Sequence, residues 1–159
     1  MLGKLPGKMR GICRGNPVCI ASLPAMNSPV TVGINATVMG WGDTNMGRNW
    51  SLRRKQSTKL HEVDIRIQST FDTGLINFIM CKRRKNCRTF QAGTENLLKG
   101  ACRGDSGGPL VVKDNGTWVQ LGIVSFISNE NCLGPASYTY VSKYIKWISE
   151  NTKIDLATR

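Results

Sequence analysis

The feature that most limits the fold of this chain is a stretch suited to a two-stranded hairpin. Leu110-Val111-Val112 is a β-prone run, Asp114-Asn115-Gly116 is a turn signal, and Trp118 to Val124 is the return run. Asn-Gly between two apolar runs favours the tight turn whose twist matches that of paired strands. Val63, Ile65 and Ile67 alternate with Asp64, Arg66 and Gln68, the period of a strand with one face in a core. Shorter β-prone runs lie at Val30-Thr31-Val32, Thr37-Val38-Met39 and Tyr138-Thr139-Tyr140-Val141. Helical spacing is confined to the end, where Val141, Tyr144, Ile145 and Ile148 recur at i, i+3, i+4 and i+7 and Ser142 is placed to cap the first turn. Short strands separated by turns and closed by one helix predict an all-β fold, a small antiparallel barrel. Residues 1–29, rich in Gly, Pro and Lys, read as a connector, residues 30–141 as the barrel, and residues 142–159 as a C-terminal helix and tail. Residues 43–59 read as a long polar, basic loop.

The chain has 159 residues, enough for one domain with a core, and no apolar run approaches the roughly 20 residues that span a bilayer. Residues 1–8 lack the apolar centre and cleavage pattern of a signal peptide. Six cysteines occur with no CxxC pair and one histidine in the whole chain, which argues against zinc and for disulfides in an oxidising compartment. Three sequons, beginning at Asn35, Asn49 and Asn115, point the same way, to a secreted glycoprotein. The net charge of +12 is clustered at Arg53, Arg54, Lys55 and Lys59 and again at Lys82, Arg83, Arg84, Lys85 and Arg88. Such clusters are most often solvated loops; the sharper reading is a surface for a polyanion such as heparin. No nucleic-acid module accompanies the charge, so nucleic acid is not an expected partner, nor is a membrane, and no metal or cofactor is expected.

The chemistry is concentrated in Gly104-Asp105-Ser106-Gly107-Gly108-Pro109, which follows Cys102. A serine nucleophile needs a sharp turn that exposes its hydroxyl, and backbone N–H groups aimed at the developing oxyanion. Glycines on both sides permit that turn and close backbone approach. On spacing alone, a glycine-rich turn leading into a strand would explain the stretch equally well.

That motif, with its preceding cysteine, resembles the nucleophile motif of the chymotrypsin/trypsin family of serine endopeptidases. Further segments are similar to the family along nearly the whole chain. They are Pro17-Val18-Cys19-Ile20, Val38-Met39-Gly40-Trp41-Gly42, Leu60-His61-Glu62-Val63, Gly122-Ile123-Val124-Ser125-Phe126, Pro135 to Val141 and Tyr144 to Ile148. The resemblance implies the C-terminal Greek-key barrel of a double-barrel protease. It implies that Ser106 is the nucleophile, that the N–H groups of Gly104 and Ser106 form the oxyanion hole, and that Asp105 is the carboxylate of the activation pocket. There Asp105 would pair with an N-terminal amine released by zymogen cleavage. It implies the disulfides Cys102–Cys132 and Cys81–Cys87. Cys19 matches a cysteine whose partner lies elsewhere in the family, and pairing with Cys13 stays equally open. The substrate pocket would be formed by Gly100, Ser125, Phe126, Ile127 and Ala136. Gly100 stands where trypsin-like members carry an acid, and Ile127 and Ala136 stand where many carry glycine. The implied substrate is a protein or peptide with a small aliphatic side chain at the cleavage site.

The same resemblance exposes a gap. The family takes its general base from a TAAHC motif and its orienting aspartate from a later segment, both in the N-terminal half. The histidine available here, His61, shares the parity of Val63, Ile65 and Ile67 and is expected to be partly buried and structural. Met1 to Leu5 resembles the end of the aspartate segment, so this chain is expected to begin just after it and to be inactive alone. In a serine protease with such a triad, loss of the histidine lowers the rate roughly a million-fold. Asp105 would then stand as an unpaired buried carboxylate, at a cost of several kcal/mol, and an apolar face would be uncovered. An N-terminal protease half is thus an expected partner. The intact serine motif favours an enzyme; the absent base leaves a non-catalytic homologue that binds a polyanion or protein as the alternative.

Overall fold

The alternating runs become strands because each can bury one face while its backbone pairs with neighbours. In the computed structural model, which describes residues 21–44, 56–70, 88–94, 99–127 and 131–156, these strands are β1 (Asn35–Gly40), β2 (His61–Ser69), β3 (Thr89–Gly93), β4 (Pro109–Asp114), β5 (Thr117–Ile127) and β6 (Ala136–Tyr140). They close into a barrel in the order β1-β2-β3-β6-β5-β4, with every pairing antiparallel. The seam that closes it is short, Thr37 opposite Val111 and Val38 opposite Leu110. A 3-10 turn (Val141–Tyr144) and helix α1 (Ile145–Thr152) follow β6. No described helix is long and apolar enough to cross a membrane.

The core fills the barrel from all sides. Ile65 and Ile67 of β2, Phe90 of β3, Leu110 of β4, Val124 of β5 and Tyr138 of β6 are buried together. The Phe90 ring lies 5.7 Å from that of Tyr138 and 5.5 Å from that of Tyr140. Gly122 is where β5 passes these rings: a Cβ there would stand 2.9 Å from Phe90 Cζ and 3.0 Å from Tyr138 Cβ. Glycine at this position leaves the two aromatics the space they fill.

The segment before β1 is stitched to the barrel. Ser22 donates its N–H to Trp118 O at 2.8 Å, and Gln120 returns one to Ser22 O at 2.9 Å. Asn27 N–H reaches Ser142 O at 2.9 Å, Ser142 Oγ donates to Ser28 O at 2.8 Å, and Val30 N–H donates to the Tyr140 hydroxyl.

Three local expectations differ from the structure. Val30-Thr31-Val32 is not a strand but leads into a turn at Gly33, whose φ is 92°; Val30 goes into the core while Val32 is exposed. Ser142 does not cap a helix, since its hydroxyl is already given to Ser28 O; α1 starts later and has no side-chain cap. β3 escapes pattern reading because Phe90, Gln91, Ala92 and Gly93 are all buried, which erases the alternation of a half-exposed strand.

Among the described residues, the buried Tyr138 hydroxyl meets no hydrogen-bond partner. Burial first, and the negative charge of Asp105 second, push its ionisation above the ordinary tyrosine range. The folded state therefore keeps this proton after the unfolded state has lost it near pH 10. Stability is full below that pH and declines above it. Denaturant titrations should show that Tyr138→Phe removes part of this alkaline decline and is neutral or stabilising at neutral pH, because an unpaired buried hydroxyl is lost.

Candidate functional site

The loop from Cys102 to Gly108 consists of two turns placed end to end. Asp105 N–H bonds Cys102 O at 3.1 Å, and Gly108 N–H bonds Asp105 O at 2.8 Å. The third residues of these turns, Gly104 and Gly107, have φ of 95° and 83°. A turn with positive φ at its third position is of type II, where glycine is favoured. Two further bonds fasten the loop to β5: Gly107 N–H to Val124 O and Val124 N–H to Gly108 O, each 2.9 Å. The result half-buries Asp105 and leaves Ser106 exposed on the outer turn.

The Asp105 carboxylate is the anchor. Oδ1 accepts the N–H of Gly42 at 2.8 Å and Oδ2 accepts the N–H of Cys102 at 2.9 Å. Hydrogen bonds to a charged group are worth roughly 1.5–3 kcal/mol each. The expectation that Asp105 stands unpaired is therefore not met: two backbone donors take the place of an ammonium. Its seat requires two glycines, Gly40 at the end of β1 and Gly42 just beyond it. A Cβ on Gly40 would lie 2.0 Å from Oδ1, and one on Gly42 would lie 2.4 Å from Oδ2. Gly108 is constrained similarly, with a Cβ 2.8 Å from Asp105 O and 3.2 Å from Met39 O. Gly40 and Gly42 were visible in the sequence as part of a familiar segment, but their contact with Asp105 across more than sixty residues was not.

Around Ser106 the donors are open. Among the described residues, the N–H groups of Gly104 and Ser106 have no acceptor and the Ser106 hydroxyl has no partner. Such N–H groups are able to stabilise an oxyanion. Gln56 borders the loop, its Nε2 lying 2.9 Å from the position of a Cβ on Gly104; sequence reasoning missed this neighbour.

His61 is not partly buried as expected. It is exposed at the rim, because β2 begins there and its cross-strand neighbour is Gly40, which offers no side chain to pack against. Its Nε2 lies 2.8 Å from Ser57 Oγ, which also accepts the N–H of Lys59 at 3.0 Å. A cavity of about 300 Å³ opens beside Asp105, lined in part by Val38, Gly40, His61, Val63 and Gly100.

The other sequence-derived site residues are distributed over several elements of the barrel. Cys102 and Cys132 form a disulfide with Cα atoms 5.3 Å apart, tying the Ser106 loop to the residues before β6. A bond closing a 30-residue separation stabilises by roughly 3–4 kcal/mol. Ile127 of β5 faces Ala136 of β6 in register. Ser125 and Phe126 are exposed at an irregularity between Val124 and Phe126, where β5 shifts register. Gly100 is brought to the Asp105 cavity, whose lining does not include Ser125, Phe126, Ile127 or Ala136. Asn35 is exposed at the start of β1 and Asn115 at the β4–β5 turn. Cys81, Cys87, Cys13, Cys19, Asn49 and most of the basic clusters lie outside the described residues.

The cradle makes a graded prediction. Gly42→Ala forces a methyl into the Asp105 carboxylate and should cost about 1–3 kcal/mol. Gly107→Ala meets nothing within 4 Å, so it should cost only the backbone strain of roughly 1–2 kcal/mol. Urea unfolding of both variants, followed by far-ultraviolet circular dichroism, reads the difference. Loop disorder should appear in Gly42→Ala and not in Gly107→Ala.

The trypsin family model matches residues 1–148. The chain is 32% identical over 146 residues to CLIP domain-containing serine protease B10 of Anopheles gambiae, covering 87% of this chain and 34% of the relative. It is 34% identical over 139 residues to phenoloxidase-activating factor 1 of Holotrichia diomphalia, covering 86% of this chain and 35% of the relative. It spans about a third of the length of these curated relatives. Among solved structures, a doubly substituted variant of human heparin binding protein superposes with a TM-score of 0.64 at 25% identity, over 86% of this chain and 51% of that one. Human heparin binding protein itself gives the same TM-score of 0.64 at 24% identity, over 87% and 52%. The chain belongs to the trypsin family.

Proposed function

We propose that this chain is the C-terminal barrel of a serine endopeptidase, with Ser106 as the residue that is acylated. The observation that carries the reading is the Cys102–Gly108 loop, with an exposed serine above a carboxylate held by two backbone donors. In this reading the N–H groups of Gly104 and Ser106 hold the oxyanion. Asp105 and the cavity beside it receive an N-terminal amine that completes the site. Gly100 supplies no counter-charge for lysine or arginine, while Ile127 and Ala136 narrow the pocket, so the substrate is a peptide with a small aliphatic residue at the scissile bond. The enzyme is secreted, with Cys81–Cys87 as a further disulfide and glycans at Asn35, Asn49 and Asn115.

Peptide hydrolysis also needs a base within hydrogen-bond reach of the nucleophile. The 159 residues contain one histidine, and its Nε2 is engaged with Ser57. We infer that the isolated chain is inactive and that a polypeptide bearing the family's histidine and aspartate supplies the base. Labelling with a fluorophosphonate should be equal for the isolated chain and its Ser106→Ala variant. Co-expression with such an N-terminal half should bring labelling that Ser106→Ala abolishes. Labelling of the isolated wild-type chain above its variant would overturn the inactivity. Labelling of the reconstituted pair that survives Ser106→Ala would overturn the nucleophile.

A second reading has support of its own. The net charge of +12 is concentrated in two clusters, and a structural neighbour is named for binding heparin. A non-catalytic role in polyanion binding predicts retention on heparin well above physiological salt, and a weaker hold when Lys82, Arg83, Arg84 and Lys85 are replaced by glutamine. Elution at or below physiological salt would dismiss it.

A further inference from the structure

We propose that Asn115 is a self-modifying residue: the backbone nitrogen of Gly116 attacks its side-chain amide, and the hairpin tip converts from asparagine to aspartate and isoaspartate without an enzyme. This goes beyond the protease reading and does not depend on it.

Asp114 pairs with Thr117, so Asn115 and Gly116 are the two residues of the β4–β5 turn. Their φ angles of 46° and 81° are the paired positive values of a type I′ turn. Asn115 bears the strain of that region, which an L side chain feels and Gly116 does not. Both residues are exposed. A Cβ on Gly116 would meet nothing within 4 Å, so the space beside its Cα is open. Among the described residues, its N–H has no acceptor.

Other described asparagines lack this combination. After Asn27, the N–H of Ser28 is bound to Ala25 O at 3.1 Å. After Asn35, Ala36 is buried inside the β1–β2 ladder. After Asn131, Cys132 is buried and held in the disulfide with Cys102, and after Asn151, Thr152 is within α1.

The atoms balance without an oxidant or reductant. Hydroxide removes the Gly116 amide proton, and the nitrogen forms a bond to Asn115 Cγ. The Cγ–Nδ2 bond breaks and ammonia leaves with a proton from water, closing a succinimide. Water then opens either carbonyl of the ring, giving aspartate or, with the main chain rerouted through Cβ, isoaspartate. Either product adds one negative charge. Isoaspartate also inserts a methylene into the turn, which weakens the Asp114–Thr117 register. An N-glycan occupies the nitrogen that must leave, so glycosylation and self-modification compete for the same atom.

The test uses the folded, unglycosylated full chain, held for days in mildly alkaline water enriched in heavy oxygen and then digested for tandem mass spectrometry. The expected result is conversion at Asn115 to an aspartate and isoaspartate pair carrying heavy oxygen, with Asn27 and Asn35 unchanged. Conversion should be lost in Asn115→Gln, whose ring would need an extra atom, with circular dichroism showing the fold retained. Persistence of Asn115 in the folded chain would overturn the proposal. So would conversion that appears only in urea, or that proceeds equally at Asn27 and Asn35.

Discussion

Two hydrogen bonds to one carboxylate organise the site. Asp105 joins the end of β1, through Gly42, to the start of the serine loop, through Cys102. With the carboxylate fixed below, the two turns on either side of it have to reverse within three residues each, and Ser106 is left on the outside. The glycines follow from this arrangement. Gly104 and Gly107 satisfy the turns, while Gly40, Gly42 and Gly108 make room for Asp105 itself.

The barrel serves as a frame that holds distant segments in register. β1 and β4 meet only through a short seam, yet that seam brings the Gly40-Trp41-Gly42 segment beside the loop that leads into β4. The Cys102–Cys132 disulfide adds a covalent tie between the loop and the residues before β6. Large apolar side chains remain on the outside. Trp41 and Leu60, which follow and precede the Gly40–His61 pair, are each more than half exposed, as is Trp147 on α1.

Much of this was legible in the sequence, and the failures have physical causes. β2 was readable because one of its faces is more buried than the other, β4 and β5 because their residues are β-prone, and the β4–β5 turn because Asn-Gly specifies it. β3 was not, because it is buried on both faces. Val30 to Val32 has strand-forming residues, but Val30 N–H goes to a tyrosine hydroxyl and the chain turns at Gly33 before β1. The parity of His61 with Ile65 and Ile67 suggested burial, and the rim position with a glycine opposite removed it. The serine turn was legible from local glycines. The partner of Asp105 was not, because it lies across the chain and its donors are backbone groups with no side-chain signature.

The two anchoring bonds can be observed one residue at a time. Residue-resolved amide hydrogen exchange on the folded chain should find Gly42 and Cys102 slowed and Gly104 and Ser106 fast, since the first pair is bonded to Asp105 and the second pair is open. Exchange at Gly42 and Cys102 as fast as at Gly104 and Ser106 would contradict the account, because the carboxylate would then hold nothing in place.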